Sequence, residues 1–219
     1  MSKPKFITFT GIDEHTNLYE AYTLQKEYPI EWGILCSENP KNNPRYPSFD
    51  FINYARKALG SMSIHLCGSI SISTLLTSEM PSICHLFDRV QINAIAKNYN
   101  KDALRNLCCN YDLVIQHRDP TTFESPYSDF GDLLYDPSGG RGIHPNAWPT
   151  SNSSGDKLVG YAGGISENNV KELISSDAMK NQNYWIDMES SIRTNNLLDI
   201  GKCRRICEIV YDCDKVYVS

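Results

Sequence analysis

The chain has 219 residues, 21 Lys and Arg against 26 Asp and Glu, a net charge of −5 and 41% apolar residues. That length fits one compact α/β domain spanning 1–219, and an acidic balance without a basic stripe argues against nucleic acid as a partner. No apolar run reaches the roughly eighteen residues of a membrane span, and the start MSKPKFITF carries no apolar signal core, so no membrane and a cytoplasmic location are expected.

In chain order, β-rich runs fall near Lys5–Thr10, Glu31–Cys36, Ser63–Cys67, Arg89–Asn93, Leu113–His117, Leu133–Asp136, Leu158–Ala162 and Tyr184–Glu189. Helical patterns follow several of them, at Leu18–Tyr28, Phe49–Leu59, Ser71–Ser78, Lys101–Cys109, Glu167–Ser175 and Leu197–Val210. In the last, Leu197, Ile200, Cys203, Ile206, Cys207 and Val210 recur at helical spacing and make one apolar face. Arg118–Gly131 contains Pro120 and Pro126, and Ile143–Lys157 contains Pro145, Pro149 and Gly155. Proline interrupts a helix, so irregular chain or short helical turns are expected after strands five and six. Strands alternating with helices imply parallel pairing. The eight units predict an α/β fold, a (β/α)8 TIM barrel, with an open doubly wound sheet as the alternative.

Eight cysteines are present. Cys203 and Cys207 lie four apart on the last helix and Cys108–Cys109 are adjacent, spacings that match no zinc ribbon or finger. Reduced, partly buried thiols are the expectation, and neither a metal nor a cofactor is expected.

Alternation along the strands sorts their side chains onto two faces. Ile7 and Phe9 oppose Thr8 and Thr10; Ile64 and Leu66 oppose His65 and Cys67; Val90 and Ile92 oppose Gln91 and Asn93; Ile186 and Met188 oppose Asp187 and Glu189. The apolar set suits the helical ring. That leaves Thr8, Thr10, His65, Gln91, Asn93, Gln116, Asp136, Asp187 and Glu189 for the interior. Barrel interiors are ordinarily filled by branched apolar residues, and so many buried polar groups must pair with one another or with a ligand. A self-satisfied structural network is one reading. Because most of these residues fall late in their strands, where such barrels do chemistry, a small-molecule site is the favoured one. His65, Asp136, Asp187 and Glu189 suit a divalent ion by type but share no ligand motif.

Four segments resemble phosphoribosylanthranilate isomerases. ITFTGID at Ile7–Asp13 is similar to that family's K-I-C-G-I-T opening, and NPRYPS at Asn43–Ser48 to its S-P-R-Y-V-S segment. LLYDPSGGRG…W at Leu133–Trp148 resembles L-L-D…GGTGKTFDW, and YAGGISENNV at Tyr161–Val170 resembles A-G-G-L-x-x-x-N-V. The matches occur in family order and span the chain. The resemblance implies an Amadori rearrangement of a phosphorylated aldose amine to a 1-amino-ketose, with an acid to open the sugar ring and a base to remove the C2 proton. It places Asp136 at the acid position, and Arg45 at the arginine that holds a substrate carboxylate. Gly163 and Gly164 fall at a phosphate cradle ahead of a helix, with Ser166 also suited to cap that helix.

The chain departs from the family at three points. Thr10 stands in place of the base cysteine, leaving Asp13, Glu14 or Glu189 as substitutes. Ser190–Ser191 replaces Ser-Gly after strand eight, at the second half of the phosphate site. Arg141 replaces a threonine in the Gly139–Gly142 loop and is available to an anion. Catalysis is thus assigned to Asp136, Thr10 and Glu189, and substrate binding to Arg45, His65, Gln91, Asp187 and Arg141. Gly163, Gly164, Ser190 and Ser191 are assigned to phosphate. Two functions fit these residues: an isomerase-like enzyme for a phosphorylated sugar or sugar-amine, and a barrel that binds a small phosphate- or carboxylate-bearing metabolite without turning it over. The oligomeric state is not encoded in any of these patterns.

Overall fold

The structure, a computed structural model, describes residues 2–37, 45–68, 80–93, 99–118, 127–139, 141–150 and 158–212. Eight parallel strands close into a barrel: β1 Ile7–Thr10, β2 Ile30–Cys36, β3 Met62–Cys67, β4 Arg89–Asn93, β5 Asp112–His117, β6 Asp132–Tyr135, β7 Val159–Tyr161 and β8 Tyr184–Met188. Closure is made by β1 and β8, through Ile7↔Ile186, Thr8↔Asp187 and Phe9↔Met188. The open-sheet alternative is thereby excluded. Among the described residues, no helix is long and apolar enough to cross a membrane.

The helices are α1 Leu18–Glu27, α2 Phe49–Ala58, α3 Lys101–Cys108, α4 Val170–Ser175 and α5 Ile200–Tyr211. Short polar side chains begin most of them. Asn17, Ser48, Asn100 and Asp199 each accept backbone N–H bonds from the first turn, satisfying donors that have no partner within the helix. Outward strand residues such as Ile7, Phe9, Ile34, Ile64 and Ile92 are fully buried beneath the helices.

The structure corrects two helix starts and leaves one prediction untouched. The last helix begins at Ile200, three residues later than its apolar spacing suggests. Leu197–Leu198 instead pairs antiparallel with Arg193–Thr194, through a turn in which Asn195 and Asn196 both have positive φ, 52° and 64°. A turn of that kind suits asparagine, and Asp199 then caps the helix. The helix expected over Glu167–Ser175 is regular only from Val170, and the side chain of Asn169, at Oδ1, takes the N–H of Ser166 at 2.7 Å. Ser166 contributes its carbonyl to Val170 N–H at 2.9 Å in place of the expected side-chain cap. The predicted helix Ser71–Ser78 lies outside the described residues. Among the described residues after strand five the chain makes a short turn at Ser128–Phe130, Pro120 and Pro126 lying outside the described residues, and residues 141–150 after strand six, with Pro145 and Pro149, contain no helix.

Inside the barrel the filling is divided. Val114, Leu134, Ala162 and Trp185, with Phe6 and Leu158 against them, form an apolar cluster on the β5–β8 side. The β1–β4 side is polar: Thr8, Ser63 and Arg89 all bind Glu31 Oε1, at 2.8, 2.9 and 2.7 Å. The two halves meet where the Arg89 guanidinium lies 4.2 Å from the Trp185 ring centre and 5.0 Å from that of Phe6. Such a desolvated cation–aromatic contact contributes on the order of 2 kcal/mol. Gly160 makes room for this arrangement. A Cβ there would lie 2.3 Å from Trp185 and 2.6 Å from Leu134.

Candidate active site at the carboxyl ends of the strands

Above this filling a cavity of about 500 Å³ opens at the carboxyl ends of the strands, where barrel enzymes carry their chemistry. The expected inward parity holds. His65, Gln91, Asn93, Gln116, Asp136, Asp187 and Glu189 all line the cavity, and Arg45 and the pairs Gly163–Gly164 and Ser190–Ser191 surround them. Thr8 and Thr10 are also buried inside, but they support the wall from behind.

A continuous line of hydrogen bonds joins the lower network to the cavity. Ser63 Oγ donates to Glu31 and lies 3.1 Å from His65 Nε2; His65 Nδ1 lies 3.0 Å from Gln91 Nε2. Since the Gln91 amide can only donate, Nδ1 accepts and Nε2 carries the proton. Burial lowers His65 to about 3, so the imidazole is neutral. It is a spacer that orients Gln91, whose amide nitrogen also lies 3.2 Å from Asp187 Oδ2 and 2.9 Å from Asn93 Oδ1, three acceptors sharing its two hydrogens.

Asp187 and Asp136 face the cavity from β8 and from the end of β6. They sit one register step beyond the pairs Tyr135↔Tyr161 and Tyr161↔Ile186, with only the small Ala162 between them. Asp187 accepts from Thr10 Oγ1 at 2.7 Å. Burial, and less strongly the Asp136 charge, push its carboxyl up to about 6. Asp136 is held differently: Oδ2 accepts from Gln116 at 2.8 Å, and Oδ1 from the Ser138 hydroxyl at 2.8 Å and the Ser138 and Gly139 amides at 3.1 Å. It therefore opens the turn after β6, as an Asp before Pro commonly does, and also lines the cavity.

At the rim, Arg45 Nη1 pairs with Glu189 Oε1 at 3.0 Å and Arg45 Nε with Asn196 Oδ1 at 3.0 Å. The two residues assigned separately to carboxylate binding and to base chemistry thus face each other. Burial raises the Glu189 carboxyl while Arg45 opposes that shift. Gly163 and Gly164 have φ of 100° and 62°, and a Cβ on Gly164 would lie 2.4 Å from the backbone of His144. Glycine is required there by the loop after β6, whatever the amides bind. Ser191 donates its hydroxyl to Ile165 O at 2.5 Å.

Two assigned residues are not at the cavity wall. Thr10 has its hydroxyl committed to Asp187, and Arg141 turns back on its own loop, Nε donating to Ser138 O at 2.9 Å. Neither is among the lining residues. The tip of a Gly-rich turn offers the long Arg141 side chain a nearby carbonyl, which explains its retreat. Asp13, one of the substitute bases, is buried beside Arg193 at 3.7 Å, and Glu14 accepts from Ser48 N at 2.6 Å. Among the described residues no three His, Cys, Asp or Glu groups are arranged to hold a metal ion. Residues not assigned from sequence also line the cavity, notably Tyr46, Cys67, Ser138 and Ala162. Cys67 was within reach of the parity argument, and burial raises its thiol to about 11.

The chain is therefore a (β/α)8 barrel with a polar, carboxylate-bearing cavity at the carboxyl ends of its strands. No family model matches the sequence, and no curated protein matches it significantly. Solved structures do. Phosphoribosyl anthranilate isomerase from Thermus thermophilus matches with a TM-score of 0.67 and 14% identity, covering 94% of this chain and 98% of that one. N-(5'-phosphoribosyl)anthranilate isomerase from Pyrococcus furiosus matches at 0.60 and 12%, over 94% and 98%. 3-Hexulose-6-phosphate synthase from Salmonella typhimurium matches at 0.51 and 12%, over 95% and 99%. Within the barrels, then, this is a phosphoribosylanthranilate-isomerase-like one, a likeness of fold.

Proposed function

We propose that this barrel is an isomerase-like enzyme that acts on a phosphorylated sugar or sugar-amine by acid/base chemistry of the Amadori type. The observation that carries the reading is the pair Asp136 and Asp187, buried in one cavity and held by different neighbours. Two carboxyl groups lining one cavity can serve opposite roles in proton transfer, one giving a proton and the other taking one. In this reading a carboxylic acid protonates the ring oxygen as the sugar opens. A carboxylate then takes the C2 proton, and the resulting enolamine tautomerises to the 1-amino-ketose. Asp136 keeps the acid role that the resemblance assigns, and Asp187 or Glu189 takes the proton from C2. Thr10, whose hydroxyl has no ionised form near neutral pH, positions Asp187. Arg45 answers a substrate carboxylate by exchanging it for Glu189, and the amides around Gly163, Gly164, Ser190 and Ser191 answer a phosphate.

The test is turnover. The purified protein is expected to convert phosphoribosylanthranilate or a related phosphorylated aldose amine, and Asp136→Asn to lower that rate by about 10²–10⁴-fold. Absence of turnover across such substrates, with no rescue of a strain lacking the isomerase, removes the enzymatic reading.

A second reading, a barrel that binds such a metabolite without converting it, is favoured by two contacts. Thr10 is committed to Asp187, and Arg45 is already paired with Glu189. Saturable sugar-phosphate binding with no product would select it.

A further inference from the structure

The rim of the cavity sets two guanidinium groups around one carboxylate. Arg45 gives Nη1 to Glu189 Oε1 and Nε to Asn196 Oδ1, both at 3.0 Å. Arg193 gives Nη1 to the carbonyl of the same Asn196 at 2.7 Å and Nη2 to Gly11 O at 2.9 Å, with Asp13 at 3.7 Å. Asn196 is thus held by its side chain to one arginine and by its backbone to the other. Arg45 is positioned by a neutral partner as well as by a charged one, and the neutral one is itself anchored.

Glu189 is a partner of another kind. It lines the cavity together with Arg45 and Asp187, and the side chains of Arg45 and Glu189 are 29% and 24% exposed, so a ligand can reach the pair. Burial raises the Glu189 carboxyl and Arg45 opposes it; the Asp187 charge raises it again and Arg193 opposes that. Cys67 and Tyr46 stand nearby, and burial holds both neutral by pushing them up to about 11 and about 12. The charged form of Glu189 therefore depends on the two guanidinium groups. A ligand carboxylate entering the cavity needs the same nitrogens. A planar carboxylate takes an arginine fork at two points, whereas here Nη1 and Nε are divided between Glu189 and an amide oxygen.

We propose that Glu189 is a resident anion in a carboxylate site at Arg45, so that the cavity selects ligands whose own carboxylate displaces it and disfavours neutral groups of the same shape. The proposal rests on the carboxylate role given to Arg45 above. What it adds is that the chain itself competes for that arginine, which makes Glu189 a determinant of specificity and binding an exchange of one anion for another.

Calorimetric titration of the full chain with benzoate, against its neutral isostere benzamide, reads the exchange. Glu189→Gln keeps the shape and removes the charge. It is expected to bind benzoate about tenfold to a hundredfold more tightly than the wild type, the worth of a hydrogen bond to a charged group, with benzamide unchanged. Glu189→Asp keeps the charge but ends one methylene short of Arg45, and is also expected to bind benzoate more tightly. Adding Arg45→Gln to Glu189→Gln is expected to abolish the preference for benzoate. Circular dichroism confirms that each variant is folded.

A preference for benzoate over benzamide that is unchanged or smaller in Glu189→Gln overturns the proposal and leaves the carboxylate role of Arg45 standing. Tightening in Glu189→Gln with Glu189→Asp indistinguishable from the wild type assigns the effect to nearby charge and overturns it as well. A preference that survives the loss of Arg45, or no benzoate binding by Glu189→Gln at about 10 mM, removes the proposal and the role of Arg45 together.

Discussion

Thr10 on β1 donates its hydroxyl to Asp187 on the neighbouring β8 at 2.7 Å, so a residue that the sequence assigned to catalysis instead serves another side chain. Thr10→Val removes one of the two donors that oppose the effect of burial on Asp187. The carboxyl is expected to rise above its present value of about 6. Carboxyl ¹³C titration measures this directly, and a value unchanged or lower in Thr10→Val contradicts the role assigned to Thr10. The lost bond to a charged group costs about 1–3 kcal/mol of stability near neutral pH.

The raised Asp187 carboxyl also sets a pH dependence. Its ordinary value is 3.8 and the folded value about 6, so between these limits the native state holds a proton that the unfolded chain has released. Stability must then fall as pH rises through that window. The penalty is absent below about pH 4 and complete above about pH 6, and amounts to roughly 3 kcal/mol for two units. Urea unfolding from pH 4 to 8 should show this downward slope in the wild type and its loss in Asp187→Asn. An identical slope in both proteins assigns the titration elsewhere.

Glu31 and Arg89 form a buried pair whose partners are fixed by Thr8 and Ser63. Removing one member leaves an uncompensated charge, so Glu31→Ala is expected to cost about 3–5 kcal/mol. Replacing both, as Glu31→Met with Arg89→Leu, should cost clearly less than the sum of the single changes. Denaturant midpoints for the four proteins of that cycle decide it, and simple additivity would mean the two groups are not coupled.

Gly160 faces Trp185 inside the barrel, where a Cβ would lie 2.3 Å from the indole. Gly160→Ala must displace Trp185, which carries the Arg89 guanidinium on its face. Overpacking of this kind costs about 1–3 kcal/mol, and the change is expected to alter Trp185 fluorescence as well as the unfolding midpoint. A variant with wild-type stability and emission would show the site can relax freely.

Strand alternation made the barrel and much of the upper layer of its interior readable, because His65, Gln91 and Asp187 each stand between two apolar neighbours of opposite parity. The lower layer escaped the same reading. Glu31 and Arg89 lie at or near strand starts, where a charge ordinarily marks the emergence of chain from solvent; only their mutual pairing across β3 keeps them inside. Leu197 and Leu198 satisfied the helical phase of α5, yet two left-handed asparagines turn them into a hairpin, a backbone preference that apolar spacing does not report. Arg141 was placed at the site by its neighbours in sequence, and its own loop carbonyl holds it away. The pairing of Arg45 with Glu189 joins residues 144 positions apart, which no local pattern announces.

The line from Glu31 through Ser63, His65 and Gln91 to Asp187 passes from the base of the barrel to its mouth by side chains alone. Each member fixes the orientation of the next, down to the tautomer of the imidazole. Refashioning the mouth for a different ligand therefore means rewriting a column several residues deep, and inherited change at this end of the molecule should arrive in correlated sets.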